Sequence, residues 1–301
     1  MINEEVRVQF LQEKGILQAE RRCRNRHKMN LCFDREIRWR CKKRKCRQDI
    51  GIRTANWFEG SRLPFEDAIL FIYSWSHELT TVKFCERELK MSLHTVVDWK
   101  SYLRDVCAWK LEQNLESIGG PGMTVEIDES LFSKRKNNAG RVLPQQWVFG
   151  AICRETRECF IVRVPVRSAN TLMLIIKERI KPKTTIKSDQ WRAYNQIADS
   201  GYTHLTVNHK YNFVDPITGA HTQTIERTWR SAKEGNKRRN GTDRNKIDFY
   251  MAEFMWRFRL HDTNPFEAIL SDIALFCPAE IRFLILIFFF LKKISLIIIL
   301  L

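Results

Sequence analysis

Met123-Thr-Val-Glu-Ile-Asp128, Trp147-Val-Phe-Gly-Ala-Ile-Cys153 and Cys159-Phe-Ile-Val-Arg-Val-Pro165 are three apolar, β-prone runs in close succession, the last two separated by the polar turn Arg154–Glu158. Runs of this length and make-up predict strands. Downstream the texture alternates. Asn170 to Ile180 predicts a helix, Thr184–Asp189 a strand, Gln190 to Ser200 a helix, His204–Asn208 a strand, and Thr222 to about Arg239 a basic helix. Three neighbouring strands followed by alternating helices and strands imply an α/β domain with a mixed sheet.

Upstream, Gly119-Gly-Pro-Gly122 is the strongest break in the chain and marks a domain boundary. From Phe65 to about Glu116 apolar residues recur at helical spacing, with Pro64 suited to open a helix and Ser92 to cap another over His94–Leu111. Short helices joined by a tight connection in a basic chain predict a helix-turn-helix-like region.

Charge is concentrated near the N-terminus. The chain has 301 residues, 51 Lys+Arg against 35 Asp+Glu, and 44% hydrophobic residues. That composition excludes a disordered chain, a collagen and a disulfide-stapled miniprotein. Thirteen of the cations lie between Arg21 and Arg47 against two acids, which points to a polyanionic partner, most often nucleic acid. The opening Met1-Ile-Asn-Glu-Glu5 is acidic and does not read as a cleavable leader, so nine cysteines predict reduced thiols or metal ligands rather than disulfides. Phe283–Leu291 and Ile294–Leu301 are almost purely apolar but split by Lys292-Lys293, and membrane insertion is not expected.

Three acidic positions stand out by context. Asp128 follows an apolar strand run, Asp189 ends one, and Glu226 falls in the first turns of the helix beginning near Thr222. Two strand carboxylates and one helix carboxylate can converge and bind hard divalent cations through oxygen. Two such ions activate water and stabilise the leaving oxygen in phosphodiester cleavage. Each residue alone also reads as a turn former or a dipole-complementing helix residue.

Together these residues carry a resemblance. Glu-Ile-Asp128-Glu-Ser, Lys-Ser-Asp189-Gln-Trp191-Arg-Ala-Tyr194 and His221-Thr-Gln-Thr-Ile-Glu226-Arg-Thr-Trp229-Arg-Ser-Ala-Lys233 resemble the signature blocks of the Merlin group of DDE transposases, whose bacterial relatives carry an ISXO-like transposase domain. Phe249-Tyr-Met-Ala-Glu253-Phe-Met-Trp256-Arg257 resembles that family's C-terminal signature. The resemblance spans roughly Gly122 to Leu275 and implies an RNase H-like fold with Asp128, Asp189 and Glu226 as a catalytic, metal-binding triad for Mg²⁺ or Mn²⁺. It further implies water attack at a transposon end, then attack of the freed 3′-hydroxyl on target DNA. On the same helix, Arg230, Lys233 and Lys237 are expected phosphate contacts, and His221 reads either as a turn residue or as a phosphate contact. Trp191 and Trp229 are expected to pack in the core.

A structural zinc site needs four Cys/His ligands in two close pairs. Cys41-Lys-Lys-Arg-Lys-Cys46 supplies one pair, and Cys23 begins the other, with Arg26 where a second thiol would be wanted and His27 or Cys32 as substitutes. Members of the resembled family often carry a zinc ribbon here, so structural Zn²⁺ is expected on Cys23, Cys41 and Cys46. Lys42, Lys43, Arg44 and Lys45 are expected to contact DNA, or to serve as a nuclear import signal.

The expected organisation is a basic zinc-ribbon-like DNA-binding segment over 1–60, a helix-turn-helix-like region over 61–118, an RNase H-like transposase domain over 122–278 and a hydrophobic tail over 279–301. The expected partners are transposon terminal repeats and target DNA, held by a homodimer or larger paired-end complex. The expected location is the nucleus in a eukaryote, and otherwise the cytoplasm with the nucleoid. The alternative is a domesticated or inactive descendant that binds specific DNA without cutting it.

Overall fold

The structure is a computed structural model that describes residues 3–133, 145–238 and 241–279. The chain divides into two compact units, Met1–Val106 with Asp262–Leu301, and Cys107–His261.

In the first unit, helix α1 (Glu4–Glu13) is capped by Asn3, and an antiparallel sheet follows with β1 (Asn30–Phe33), β2 (Ile37–Arg40) and β3 (Asp49–Gly51) in that order. Three helices come next, α2 (Phe65–Ser76), α3 (Val82–Glu88) and α4 (Leu93–Gln113), the last of which runs on past Val106 into the second unit. The Thr81 hydroxyl accepts from Phe84 N–H at the start of α3, and the Ser92 hydroxyl from Thr95 N–H at the start of α4, each satisfying a donor the helix leaves open. Pro64 is the N-cap of α2. Phe58 packs edge-on to Phe65, with centroids 5.2 Å apart, and Trp99 packs edge-on to Phe71. Helix α8 (Pro265–Phe276) closes this unit, where Phe266 stacks on Phe10 and meets Tyr73 edge-on. The second unit thus ends at His261, short of the boundary drawn from the sequence at residue 278.

The second unit holds β4 (Thr124–Ser133), β5 (Gln146–Cys153), β6 (Cys159–Val164), α5 (Ala169–Arg179), β7 (Thr185–Asp189), β8 (Thr203–Val207), α6 (Gln223–Arg238) and α7 (Ile247–Arg259). Its sheet runs β6-β5-β4-β7-β8, with β4–β5 and β5–β6 antiparallel and β4–β7 and β7–β8 parallel. This mixed sheet, three meandering strands extended by two parallel ones, is the RNase H-like arrangement.

Strand alternation sorts its core into two layers. Val125 and Ile127 of β4 and Phe149, Ala151 and Cys153 of β5 pack with Leu172, Met173 and Ile176 of α5. On the other face Phe132, Val148 and Ile152 pack with Ile225 and Trp229 of α6 and Ile247 and Met251 of α7. Glu126, Asp128 and Ser130 share the parity of Phe132, so β4 presents a polar stripe towards α6. Buried polar side chains inside an apolar layer are the informative exception.

Gln190 to Ser200 does not form the predicted helix. The Asp189 carboxylate accepts from Trp191 N–H at 3.0 Å, an Asx turn that competes with helix initiation, and only two short 3₁₀ turns follow at Arg192–Tyr194 and Ala198–Ser200. The apolar tail beyond Ala279 lies outside the described residues. No helix among the described residues is long and apolar enough to cross a membrane.

Candidate functional site

Asp128 and Asp189 are brought to the same level of neighbouring strands. The β4–β7 ladder pairs Thr124 with Thr185, Val125 with Ile186 and Glu126 with Lys187, and Asp128 and Asp189 lie two residues beyond that last pair on both chains. A parallel register keeps them on one face of the sheet, the face covered by α6.

Helix α6 lies along the polar stripe of β4, and each polar residue of the stripe meets one turn of it. At its first turn, Thr224 and Ile225 N–H groups donate to Glu126 Oε2 at 2.8 and 2.9 Å. One turn on, the Trp229 indole N–H donates to Asp128 Oδ2 at 3.1 Å. A further turn on, Lys233 donates to Ser130 Oγ. The spacing of these contacts is the i, i+4 repeat of one helix face.

Glu126 is fully buried and was not singled out from the sequence. Besides capping α6, it accepts from Arg154 Nε at 2.5 Å. Arg154 also donates to His221 Nδ1 and to the His221 carbonyl, both at 2.9 Å. Burial, and then the Arg154 charge, lower the His221 pKa, which keeps the ring neutral and accepting. His221 thus serves the turn that opens α6. The signal that could have found Glu126 is its parity with Asp128 in an otherwise apolar strand.

Close approach of α6 also depends on Gly150, which pairs with Asp128 on β5. A Cβ built there would stand 2.7 Å from Cζ2 and Cη2 of Trp229. Trp229 is only 5% exposed, a core residue that also holds a carboxylate.

Glu226 lies on the exposed side of the first turn of α6. The Thr222 hydroxyl donates to its Oε1 at 3.1 Å, and His209 Nε2 donates to Thr222 Oγ1 at 2.8 Å. The Asp128 carboxyl is pushed up to about 7, chiefly by burial and next by the charge of Asp189, with Glu226 adding to it. Asp128 therefore feels the charge of both other acids. A fourth joins them: Glu129, on the opposite face of β4, is also pushed up to about 7, by burial first, and accepts from the buried Tyr194 hydroxyl. An all-carboxylate donor set, partly buried, has the oxygen chemistry that suits a hard divalent cation.

The N-terminal cysteines form a second centre. Among the described residues, the one group of three or more Cys, His, Asp or Glu side chains with all donor atoms within 4.8 Å of one another is Cys23, His27, Cys41 and Cys46. The carboxylates stand wider than this. His27 takes the place left by Arg26: its Nδ1 lies 3.5 Å from Cys23 Sγ and 3.7 Å from Cys41 Sγ. Arg26 adopts φ +61° in the turn that carries the chain from Cys23 to His27, and His27 N–H donates to Cys23 Sγ at 3.3 Å. Cys32 points elsewhere, towards the Asn30 carbonyl. Tetrahedral coordination with Zn–S bonds of about 2.3 Å and Zn–N bonds of about 2.0 Å puts nitrogen and sulfur roughly 3.5 Å apart, close to the 3.5 and 3.7 Å from His27 Nδ1 to the two sulfurs.

The cations read from the sequence divide by position. Lys42, Lys43, Arg44 and Lys45 are exposed on the β2–β3 connection, and Arg230 and Lys237 are exposed on α6. Lys233 instead faces Ser130, because it shares the face of Trp229.

Residues 119–259 match the family model of the ISXO2-like transposase domain. That stretch of the chain is thus similar to a transposase domain. It is 27% identical over 114 residues to an uncharacterized transposase-like protein of Haemophilus influenzae, an alignment that covers 38% of this chain and 91% of that protein. Similar solved structures include the catalytic core domain of BIV integrase, at 14% identity and TM-score 0.31, covering 49% of this chain and 93% of that one. A chain of the simian T-cell lymphotropic virus intasome in complex with PP2A regulatory subunit B56 gamma has the same identity and TM-score. There the alignment covers 47% of this chain and spans half of the viral complex's chain.

Proposed function

We propose that this protein is a Merlin-like DNA transposase in which Asp128, Asp189 and Glu226 hold Mg²⁺ or Mn²⁺ and direct cleavage of transposon ends and strand transfer. The observation that carries the reading is the level placement of Asp128 and Asp189 on adjacent parallel strands beneath the helix that bears Glu226, with Asp128 raised to about 7 by burial first and then by the charge of Asp189. The transposase-domain match over 119–259 supports it. When bound, the ions supply an activated water and neutralise charge on the leaving oxygen.

The chain's own residues do the rest. Trp229 N–H orients the Asp128 carboxylate, Thr222 orients Glu226, and Glu126 fixes α6 against β4 so that the helix and strand acids keep their spacing. Exposed Arg230 and Lys237 contact phosphates beside the cut. Hydrolysis breaks a P–O3′ bond and leaves a 3′-hydroxyl and a 5′-phosphate. In the transfer step that 3′ oxygen bonds a target phosphorus as the target's own 3′ oxygen leaves. Cys23, His27, Cys41 and Cys46 hold a structural Zn²⁺ that folds the basic ribbon, whose Lys42–Lys45 loop grips DNA. Pairing two transposon ends calls for at least two copies of the chain, acting in the nucleus of a eukaryote or at the nucleoid of a bacterium.

Strand cleavage of a labelled duplex carrying the element's own terminal repeat tests this, with wild type and Asp189→Ala compared in Mg²⁺, Mn²⁺ and EDTA. Metal-dependent nicking that disappears in the variant is expected. Sequence-specific binding without nicking, equal in both proteins, overturns it in favour of a DNA-binding descendant.

A further inference from the structure

The three most exposed large apolar side chains among the described residues all sit on one loop, the connection from β8 to α6. Ile217 is 92% exposed, Phe213 78% and Tyr211 72%. Soluble surfaces scatter such residues singly, and a cluster of them marks a contact.

The loop is built to hold them outward. Asp215 Oδ1 accepts from Ile217 N–H, Thr218 N–H and the Thr218 hydroxyl at 2.7–3.1 Å, and Gly219 takes φ +65° to close the turn. Asp215 N–H then donates to the Ala220 carbonyl at 2.8 Å, pinning the base of the loop. Upstream, Tyr211 and Asn212 N–H groups both donate to the Asn208 carbonyl. The loop is also hooked to the acidic site, because His209 donates to the Thr222 hydroxyl that in turn donates to Glu226. Lys210 places its ammonium 5.6 Å from the Tyr211 ring centroid, and α6 continues from the loop with exposed Arg227 and Arg230.

We propose that Tyr211 and Phe213 form a stacking platform for unpaired bases at the DNA end being cut. Aromatic faces interleaved with cations are the chemistry that holds single-stranded nucleic acid, since every base offers a π-face and every nucleotide a phosphate. Bases at a duplex end leave the stack at a cost of a few kcal/mol, and a platform beside the acids would hold the displaced bases. The exposed cations favour a polyanion over a second copy of this basic chain as the occupant. This inference rests on the proposed function and specifies the form of DNA that the site takes.

The test uses the full chain in the Asp189→Ala background, so that binding is read without cleavage. The probes are a blunt duplex and the same duplex with a three-nucleotide single-stranded tail containing 2-aminopurine. The platform predicts quenching of 2-aminopurine and about tenfold tighter binding of the tailed duplex. Adding Tyr211→Ala and Phe213→Ala together removes both effects while leaving blunt-duplex affinity and the thermal midpoint unchanged. Absence of any preference for the tail before those substitutions, or its persistence after them, overturns the platform. A shift from dimer to monomer in sedimentation of the double variant assigns the loop to contact between copies and also overturns it. Because no readout depends on nicking, failure of the platform and failure of catalysis remain separable.

Discussion

The cysteine–histidine cluster and the carboxylate site are both sets of side chains whose chemistry suits a metal ion, and they are assembled in opposite ways. Cys23, His27, Cys41 and Cys46 come from two short turns, one ahead of β1 and one between β2 and β3, are buried or half-buried, and close to within 4.8 Å of one another. Asp128, Asp189 and Glu226 come from two strands and a helix far apart in the chain, stand wider, and leave Glu226 on an exposed helix face. A closed four-ligand cluster suits an ion that only holds structure, whereas an open oxygen-lined site leaves room for water and substrate.

If the first centre is structural, removing its ion has the largest effect in the molecule. Structural zinc contributes about 10–16 kcal/mol of apparent binding free energy in small zinc domains, and that energy is also folding energy. Chelation or Cys41→Ser is therefore expected to release one zinc per chain and to unfold β1–β3, as read by metal analysis and amide hydrogen exchange. His27→Ala does the same, and Cys32→Ser does nothing. Equal zinc content in His27→Ala and wild type would break the assignment of the fourth ligand.

The second centre is held by its supports. Glu126→Leu leaves Arg154 and the α6 N–H groups without their buried acceptor, a class of change that costs about 3–5 kcal/mol. It is expected to lower cleavage by roughly 10–100-fold, as loss of a ligand's supporting partner does elsewhere. Urea unfolding and single-turnover cleavage measure the two, and DNA affinity should change little.

How far each centre was legible in the sequence follows from this difference. The strands from Thr124 to Val164 were readable because apolar periodicity is local. The ribbon's thiols were readable because their spacing is local, although the fourth ligand stayed open until folding set His27 Nδ1 beside two sulfurs. The carboxylate site depends on register between β4 and β7, which no local pattern encodes: context marked out the three acids, and resemblance to a family gave them a joint role. Glu126 and Gly150 escaped notice for the same reason: one is an ordinary strand glutamate until α6 docks on it, the other an ordinary glycine until Trp229 needs its space. Gln190–Ser200 misled because Asp189 turns its side chain back on the chain that follows.

The carboxylate site also predicts a pH dependence of its own. Without Mg²⁺ or Mn²⁺, the fold keeps protons on Asp128 and Glu129 up to about pH 7, while the unfolded chain releases them in the ordinary carboxylate range. The folded state binds more protons between those limits, so stability falls as pH rises from about 4 through 7, by at most about 4 kcal/mol for Asp128. Urea unfolding at pH 5 and pH 8 checks the sign. Asp128→Asn should flatten the slope, and added Mg²⁺ should restore stability at pH 8.

The smallest effect concerns the seat of α6. Gly150→Ala forces the Trp229 ring to move and is expected to cost about 1–3 kcal/mol. Thermal unfolding reads the loss, and Trp229→Phe in the same chain should recover part of it.

The most direct measurement for the central claim is a metal switch at Asp189. A thiolate favours softer ions than Mg²⁺. Asp189→Cys is expected to leave the labelled terminal-repeat duplex uncut in Mg²⁺ and to regain nicking in Mn²⁺, while wild type cuts in both. Nicking by Asp189→Cys at the wild-type rate in Mg²⁺ would contradict a metal-bound Asp189.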